Sequence, residues 1–340
     1  MTDKHRRGRA IILRDIADSL SVSMMTVSRA LRGLEGVSPA RRSEIVALAK
    51  RLNYVPNSNA RPLAVTNADL VGISMPNLFN DVFADILAGM RGTIVAAGYS
   101  SVIDTTDFDL TAEAAWVERL LTWRPSGIVL TGVHHAPGLR DMLRATGVPV
   151  LEIWDHTDDP IDINVGMDHV AAGRLAAEHA LALGYQRPAF VGGPHWRDRR
   201  AEGRLMGLRT VYPDPGGTLI NVARPTSQNA FEAGFVGAQQ LLAQDRPDVI
   251  FYLNDHLAFG GMMACQAAGL RVPDDIGTVG FNGLGITRVL SQKITTVVTP
   301  RRQMGMLGAR DLLARIHGAR CDKVKCLSAR LVPGETTRPQ

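Results

Sequence analysis

A short segment near the N-terminus carries side chains that can contact nucleic acid. Arg29 can pair with the O6 and N7 edge of guanine or with a phosphate, whereas Met24 and Met25 can offer only apolar contact, for example to a thymine methyl group. Direct readout by the two Met side chains would therefore be weak, and the alternative for either is a place in the core of its own domain. Side chains suited to phosphate oxygens surround them, namely Ser23, Thr26, Ser28, Arg41 and Tyr54.

A second set of side chains follows short apolar runs later in the chain and can bind a small molecule. A guanidinium pairs with a carboxylate through two hydrogen bonds, whereas Asp and Asn pair with hydroxyl groups, so this mixture would suit a polyhydroxy acid. The candidates are Asn80, Phe83, Asp155, Trp196, Arg200, Arg204, Asp255 and Asn282. Structural alternatives stay open: Asn254 or Asp255 can cap a helix, Asp155 can be a solvated loop acid, Phe83 can be core, and the arginines can form a surface face.

The positive charge of the chain is concentrated at its start. Residues 1–61 hold 12 Lys/Arg and 5 Asp/Glu, a balance of +7, and the rest of the 340 residues hold 26 and 28. A basic head on a nearly neutral body is typical of a protein that binds nucleic acid through the head. A basic solvated tail is the alternative that charge alone leaves open.

The first set of residues is positioned by a pattern of three short helices. Apolar periodicity predicts one helix over residues 14–20 and another over residues 24–31, with a three-residue turn between them and Ser23 as the N-cap of the second. Ser38 as a cap and Pro39 at the first helical position predict the third. This arrangement predicts a helix-turn-helix whose second helix enters the major groove.

The runs LRDIADSLSVSMMTVSRAL and VSPARRSEIVALAKRLNYVPN together resemble the head of the lactose/galactose repressor family. The resemblance implies that the stretch from Asn57 to Ala64 is a hinge helix, which orders on the operator and inserts Leu63 into the minor groove as a wedge.

Two residues depart from the family pattern. Ile12 stands where a Thr usually caps the first helix, and Pro62 precedes the predicted wedge. Because proline lacks an N–H and disfavours helical conformation in the residue before it, a hinge helix that begins at Asn57 would lose a hydrogen bond. A helix capped at Asn59 would place Pro62 in its first turn, where the loss is smaller.

The body of the chain alternates short apolar runs with amphipathic stretches. The runs are LVGISM, SSVID, GIVLTG, VPVLEI, PAFVG, TLINV, DVIFYL and IGTVGF. This alternation predicts parallel sheets with helices on both faces, and the similar runs that begin at Arg124 and Arg246 predict two such lobes. Ligands of such folds bind beyond the carboxyl ends of the strands, so the second set of residues would meet in the cleft between the lobes.

The body resembles the periplasmic-binding-protein-like sensor of the same repressor family. The runs WVERLLTWRPSGIVLTG, FYLNDHLAFGGMMACQAAGLRVPDDI and TPRRQMGMLGARDLLARI resemble in particular the gluconate-operon repressors. The predicted fold is thus multidomain, with an all-α head and a two-lobed α/β sensor. The predicted boundaries are 1–56 for the head, 57–68 for the hinge or linker, 69–165 with about 298–318 for the first lobe, and 166–297 with about 319–340 for the second.

Other classes of protein fit the sequence less well. Phosphate-binding, dinucleotide-binding, metalloprotease and hydrolase motifs are missing, and we interpret His134, His135 and His169 as surface or loop residues without metal-ligand spacing. No apolar run is long enough for a membrane span, and no signal peptide is evident, which argues for a cytoplasmic protein and against an exported sugar-binding protein. Cys265, Cys321 and Cys326 are expected to be free thiols.

Together these patterns predict a transcription regulator, not an enzyme, without cofactor or metal. We expect a homodimer that binds double-stranded DNA at a palindromic operator, as a repressor, under the control of a small effector. A sugar acid such as gluconate is the first candidate effector, and a neutral sugar or a nucleobase is the alternative.

Overall fold

The computed structural model describes residues 11–31, 33–52, 54, 68–192, 199–212, 221–227, 229–244 and 246–339. Two compact units, Met1–Thr66 and Asn67–Gln340, divide the chain. The predicted hinge residues Asn57 and Leu63, with Pro62, and the predicted effector residue Trp196 lie outside the described residues.

The first unit contains the predicted helix-turn-helix. Its helices are α1 (Leu13–Ser19), α2 (Met24–Leu31) and α3 (Pro39–Arg51). Ile16, Val27 and Ile45, one from each helix, are fully buried and form the centre of a single small core. The predicted apolar faces therefore meet, because three helices this short are stable only when each buries its apolar face against the others.

The caps of these helices agree with the sequence in two cases. Ser23 Oγ accepts the Thr26 N–H at 3.0 Å, and Ser38 Oγ accepts the Arg41 N–H at 3.4 Å, so both serine caps are confirmed. At Ile12, which has no polar side chain, the carboxylate of Asp15 accepts the Ile12 N–H at 2.8 Å instead. The loss of the usual Thr is thus partly compensated from inside the helix.

The second unit is built on two six-stranded sheets. The first has the order β11-β5-β4-β3-β1-β2 and the second the order β12-β10-β9-β8-β6-β7. In the first sheet the strands are β1 (Ala68–Met75), β2 (Ser100–Thr105), β3 (Pro125–Thr131), β4 (Val150–Asp155), β5 (Ile163–Met167) and β11 (Val324–Cys326). In the second they are β6 (Pro188–Val191), β7 (Asn221–Ala223), β8 (Val249–Tyr252), β9 (Gly277–Asn282), β10 (Thr295–Val298) and β12 (Arg330–Val332). Among the strand pairs of the described residues, that of β10 with β12 alone is antiparallel.

Helices cover both sheets, as expected for buried parallel strands. The helices of the first lobe are α4 (Asp81–Ala96), α5 (Leu110–Leu121), α6 (Leu139–Thr146) and α11 (Arg301–Ile316), with α11 against α4. Those of the second lobe are α7 (His169–Ala182), α8 (Arg199–Val211), α9 (Ala230–Gln244) and α10 (Asp255–Ala267), with α7 against α8 and α9 against α10. A 3-10 helix, Gly285–Arg288, follows β9.

The chain crosses between the lobes three times: after β5, after β10, and between β11 and β12. The short strands β5, β10, β11 and β12 lack a marked apolar run and were not predicted. Because β11 pairs with β5 of the first sheet, the C-terminal segment assigned to the second lobe is divided between the two lobes. Within the described ranges, every helix is too short or too polar to cross a bilayer.

Candidate functional site

The second helix of the head presents the predicted DNA-contacting side chains on its surface. Met24 and Met25 are 49% and 65% exposed, so the alternative that one of them belongs to the core of the head is wrong. Arg29, on the same helix, is exposed as well. Ser23 Oγ lies 2.9 Å from Thr26 Oγ1, so these two hydroxyl groups contact each other. An exposed surface with one basic and two apolar side chains can enter a groove without disturbing the core behind it.

The remaining predicted head residues lie on and after α3, apart from the half-buried Ser28 on α2. Arg41 is exposed and forms an ion pair with Glu44 at 2.7 Å, which a phosphate would have to share or displace. Tyr54 is half-buried and packs against the apolar core of the head.

In the second unit, a cavity of about 490 Å³ lies between the two lobes. Residues of both lobes line it, and most follow the carboxyl ends of strands: Pro76, Thr106, Phe108, Asp109, Leu110, Thr111, Glu113, Thr131, Gly132, His134, Asp155, Arg199 and Arg200. This volume falls within the range of ordinary small-molecule sites. The lining combines guanidinium, carboxylate, hydroxyl and aromatic groups, which is the set that binds polyhydroxy compounds with an acid group.

An ion pair between the lobes forms one wall of the cavity. Arg200, on α8 of the second lobe, donates from Nε to Oδ1 of Asp155, at the end of β4 in the first lobe, over 2.7 Å. Arg200 Nη2 also donates to the carbonyl of Thr131 at 3.4 Å. The guanidinium carbon lies 6.0 Å from the ring centre of Phe83 and 5.5 Å from that of Phe108, close enough for cation–π attraction. Arg200 thus reaches across the cleft into the first lobe.

Asp155 is held by a second residue of the second lobe. His169 Nε2 lies 3.2 Å from Asp155 Oδ1, and the two side chains are almost completely buried. Although burial alone would raise the pKa of Asp155, the charge of Arg200 and the hydrogen bond from His169 outweigh it and hold that pKa well below its usual value. Burial also lowers the pKa of His169, against the opposing effect of Asp155. Asp155 is therefore an anion that links the lobes, and not a solvated loop acid.

The interpretation of the histidines as surface or loop residues is wrong for His169, while His135 lies in the loop between β3 and α6 but not at the surface. His169 is on the first turn of α7 against Asp155, and the side chain of His135 is fully buried between Glu113 and Glu152. His134 is exposed and lines the cavity. Spacing along the chain could not identify them, because their partners come from distant segments. No group of His, Cys, Asp and Glu side chains that could hold a metal occurs in the described parts of the chain.

The other predicted effector residues lie apart from the cavity lining. Asp255 is completely buried in the second lobe, where its carboxylate accepts hydrogen bonds from Thr296 Oγ1 and the Leu284 N–H, both at 2.6 Å. Burial raises its pKa to about 7 despite those hydrogen bonds. The cap of α10 is Asn254, whose side chain accepts the Leu257 N–H at 3.0 Å. The predicted contact of Asp255 with an effector stays a prediction that would require a rearrangement of these hydrogen bonds.

Arg204, Asn282 and Asn80 have local partners. The Arg204 guanidinium lies 3.8 Å from the ring centre of Phe281 and donates to the Leu253 carbonyl at 2.7 Å. Asn282 has a positive φ of 92°, and its carbonyl accepts a hydrogen bond from Arg301. Asn80 caps α4 by accepting the Val82 N–H at 3.0 Å. The structure thus brings together Asp155 and Arg200 from the predicted set, whereas Phe83 is buried in the apolar core, as its structural alternative held.

The sequence analysis missed several residues of the cavity wall. Arg199 belongs to the same basic cluster as Arg200, and its neighbour could have indicated it. Phe108 and Glu113 gave no signal, because Phe108 lies in a loop and Glu113 looks like an ordinary acidic residue in the first turn of a helix.

Comparison with known proteins decides the family. Residues 12–57 match the model of the lacI family of bacterial regulatory proteins, and residues 177–337 match a periplasmic binding protein-like domain. The chain is 34% identical over 309 residues to the HTH-type transcriptional regulator GntR of Escherichia coli K12. This alignment covers 90% of this chain and 92% of that protein. The chain belongs to the lacI family. It is thus a DNA-binding transcription regulator with the fold that its sequence predicts.

Solved structures agree with this assignment over almost the whole chain. A lacI-family transcriptional regulator from Silicibacter pomeroyi aligns with a TM-score of 0.88 and 33% identity, over 96% of this chain and all of that one. The lac repressor dimer bound to operator and to the anti-inducer ONPF aligns with a TM-score of 0.77 and 27% identity, over 97% of this chain and 99% of that one. This lacI-family regulator therefore shares both its head and its two-lobed body with proteins of known structure.

Proposed function

We propose that this regulator is a repressor that binds a palindromic operator as a homodimer and that responds to a sugar acid in the cleft between its lobes. The observation that carries the effector class is the ion pair of Arg200 with Asp155 in the wall of the cavity. Arg199 and Arg200 can attract an acid group, while carboxylate and hydroxyl side chains of the same cavity can bind hydroxyl groups.

The acid group of the effector would have to compete for Arg200. Since Asp155 already neutralises that guanidinium, a carboxylate would share Arg200 with Asp155 or meet Arg199 beside it. Either arrangement changes the link between the lobes, because Arg200 and Asp155 belong to different lobes. A ligand that contacts both lobes shifts their relative position to the extent that it binds one arrangement more tightly.

Gluconate is the first candidate, from the resemblance to the gluconate-operon repressors. Heads of two protomers would read the two halves of the operator, with α2 in the major groove and Arg29 as the main reader.

Calorimetry with gluconate, a ketogluconate, 6-phosphogluconate and glucose tests the effector class directly. We expect an acid to bind and glucose not to bind. Binding of glucose alone would contradict the sugar acid and indicate a neutral sugar as the effector.

In parallel, fluorescence anisotropy with a duplex selected from a random library should show binding that weakens steeply with salt, since each phosphate contact releases counterions. Equal affinity for all duplexes would contradict operator binding.

A further inference from the structure

A chain of buried charged side chains runs through the first lobe, starting at the wall of the cavity. Glu113, in the first turn of α5, is only 5% exposed and lines the cavity. Its Oε1 lies 2.6 Å from His135 Nδ1, and its Oε2 accepts a hydrogen bond from Ser74 Oγ at 3.3 Å. Because a carboxylate oxygen can accept two hydrogen bonds, Oε2 retains acceptor capacity after the contact with Ser74.

On the other side of His135 the chain continues to the surface. His135 Nε2 lies 3.1 Å from Glu152 Oε1, which also accepts from Arg140 Nη1 at 3.4 Å. Glu152 Oε2 accepts the Ile161 N–H, and Arg140 Nη2 reaches the exposed carboxylate of Asp159 at 3.0 Å. Acidic and basic groups therefore alternate from the cavity wall to the outer face of the lobe.

This alternation fixes the position of the carboxylate at the cavity wall. Burial alone would lower the pKa of His135, but hydrogen bonds and charges from Glu113 and Glu152 outweigh it and raise that pKa to about 9. His135 is thus protonated at neutral pH and donates to a carboxylate from each ring nitrogen. Burying so many charges is costly unless they are paired, and apolar side chains of similar volume would give the same stability. Stability alone therefore does not explain why charged side chains occupy these positions. Glu113 is the member of the chain that reaches the cavity.

We propose that Glu113 binds hydroxyl groups of the ligand in the cleft, and that His135 and Glu152 are positioning residues that hold its carboxylate in place. This inference rests on the proposed function and deepens it. Arg199 and Arg200 would take the acid group of the ligand, and Glu113 would take hydroxyl groups of its carbon chain. The ligand class is therefore a compound with an acid group and several hydroxyl groups, and a simple short-chain acid would lack the second set of contacts.

The test compares Glu113→Gln with Glu118→Gln, a matched change of an exposed glutamate on the same helix. Calorimetry on the full-length protein would use gluconate, the neutral polyol glucitol, and glycolate as a short acid. We expect Glu113→Gln to weaken gluconate binding by about tenfold, since a hydrogen bond to a charged group is stronger than one to a neutral amide. Glu118→Gln should have no effect, and glycolate should bind wild type and both variants alike.

Thermal unfolding and operator affinity without ligand check that each variant is folded. If Glu113→Gln is unstable, Glu113→Asp takes its place.

The positioning role is tested by a double-mutant cycle. His135→Gln should weaken gluconate binding as much as Glu113→Gln does, and the double variant should lose no more than either single change, because both remove the same contact. Losses that add would overturn the positioning role, since a merely structural effect of His135 would be independent of Glu113.

The outcomes separate this inference from the proposed function. If the wild-type protein binds gluconate and Glu113→Gln binds it equally well, the role of Glu113 is wrong and the sugar-acid effector stands. If the protein binds glucitol and not gluconate, and Glu113→Gln weakens that binding, the sugar acid is wrong and the role of Glu113 stands. If wild type binds neither compound, both are overturned.

Discussion

At the scale of single residues, Arg200 decides how the cleft responds. We expect Arg200→Ala to abolish the effect of gluconate on operator binding while the protein still binds operator, because the head is a separate compact unit. Anisotropy titrations with and without gluconate measure both. The same change leaves Asp155 buried without its guanidinium, and loss of one partner of a buried pair costs about 3–5 kcal/mol. An Arg200→Ala protein that still responds would contradict the proposed acid site.

The double variant Arg200→Ala with Asp155→Ala serves as the control for stability. Removing both charges should restore much of the free energy of unfolding, because no unpaired charge is left. It should not restore the response to gluconate. Recovery of both would mean that the single variant failed only because the body was destabilised.

His135 gives a second residue-scale prediction, which concerns pH. Its pKa is about 9 in the folded protein and 6.5 in the unfolded chain, so its stabilising effect is fully present below pH 6.5 and is lost as the pH rises from 6.5 through 9. From denaturant unfolding at pH 6 and pH 9.5, we expect the body of the wild-type protein to lose about 3 kcal/mol more than His135→Gln does. His134→Gln, a change of the neighbouring residue, should lose as much as wild type or slightly more, because the pKa of His134 is lowered by burial and this residue adds stability as the pH rises. Equal losses in wild type and His135→Gln would show that His135 does not titrate in this range.

At the scale of elements, α2 combines readout with a cap that keeps it helical. Ser23→Ala removes the side chain that accepts the Thr26 N–H, and such a loss typically costs about 1 kcal/mol of stability. We expect thermal unfolding of the head at a lower temperature. Ser19→Ala is the matched control, because the Ser19 hydroxyl donates to the Asp15 carbonyl within α1 and caps no N–H group. Its effect should stay within about 0.5 kcal/mol. Equal losses for both variants would contradict the cap at Ser23.

At the scale of the whole molecule, the regulator must couple its two ligands. If gluconate weakens operator binding by some factor, operator must weaken gluconate binding by the same factor, since the coupling free energy is shared. Calorimetry of gluconate with and without saturating duplex, compared with anisotropy titrations in the reverse direction, should give equal factors. Two affinities that are independent of each other would exclude this mechanism of control.

Sequence by itself determined the elements and most of the architecture. The three head helices, their serine caps, the lacI-family resemblance and eight strands of the two lobes were all predicted, because each depends on local periodicity, capping or turn residues. Sequence left open whether one Met of α2 belongs to the core of the head, and the structure shows that both are exposed.

Tertiary structure decided the chemistry of the cleft. Asp155 meets Arg200 and His169, and Glu113 meets His135 and Glu152, across separations along the chain that no spacing rule covers. The same holds for Asp255, which resembles a ligand contact in sequence but is buried against Thr296 and the Leu284 backbone. Charge pairs of this kind are set by how strands are ordered in the sheets and by where the chain crosses between lobes. Local sequence determines whether a strand forms, and long-range packing determines which side chains face each other at its end.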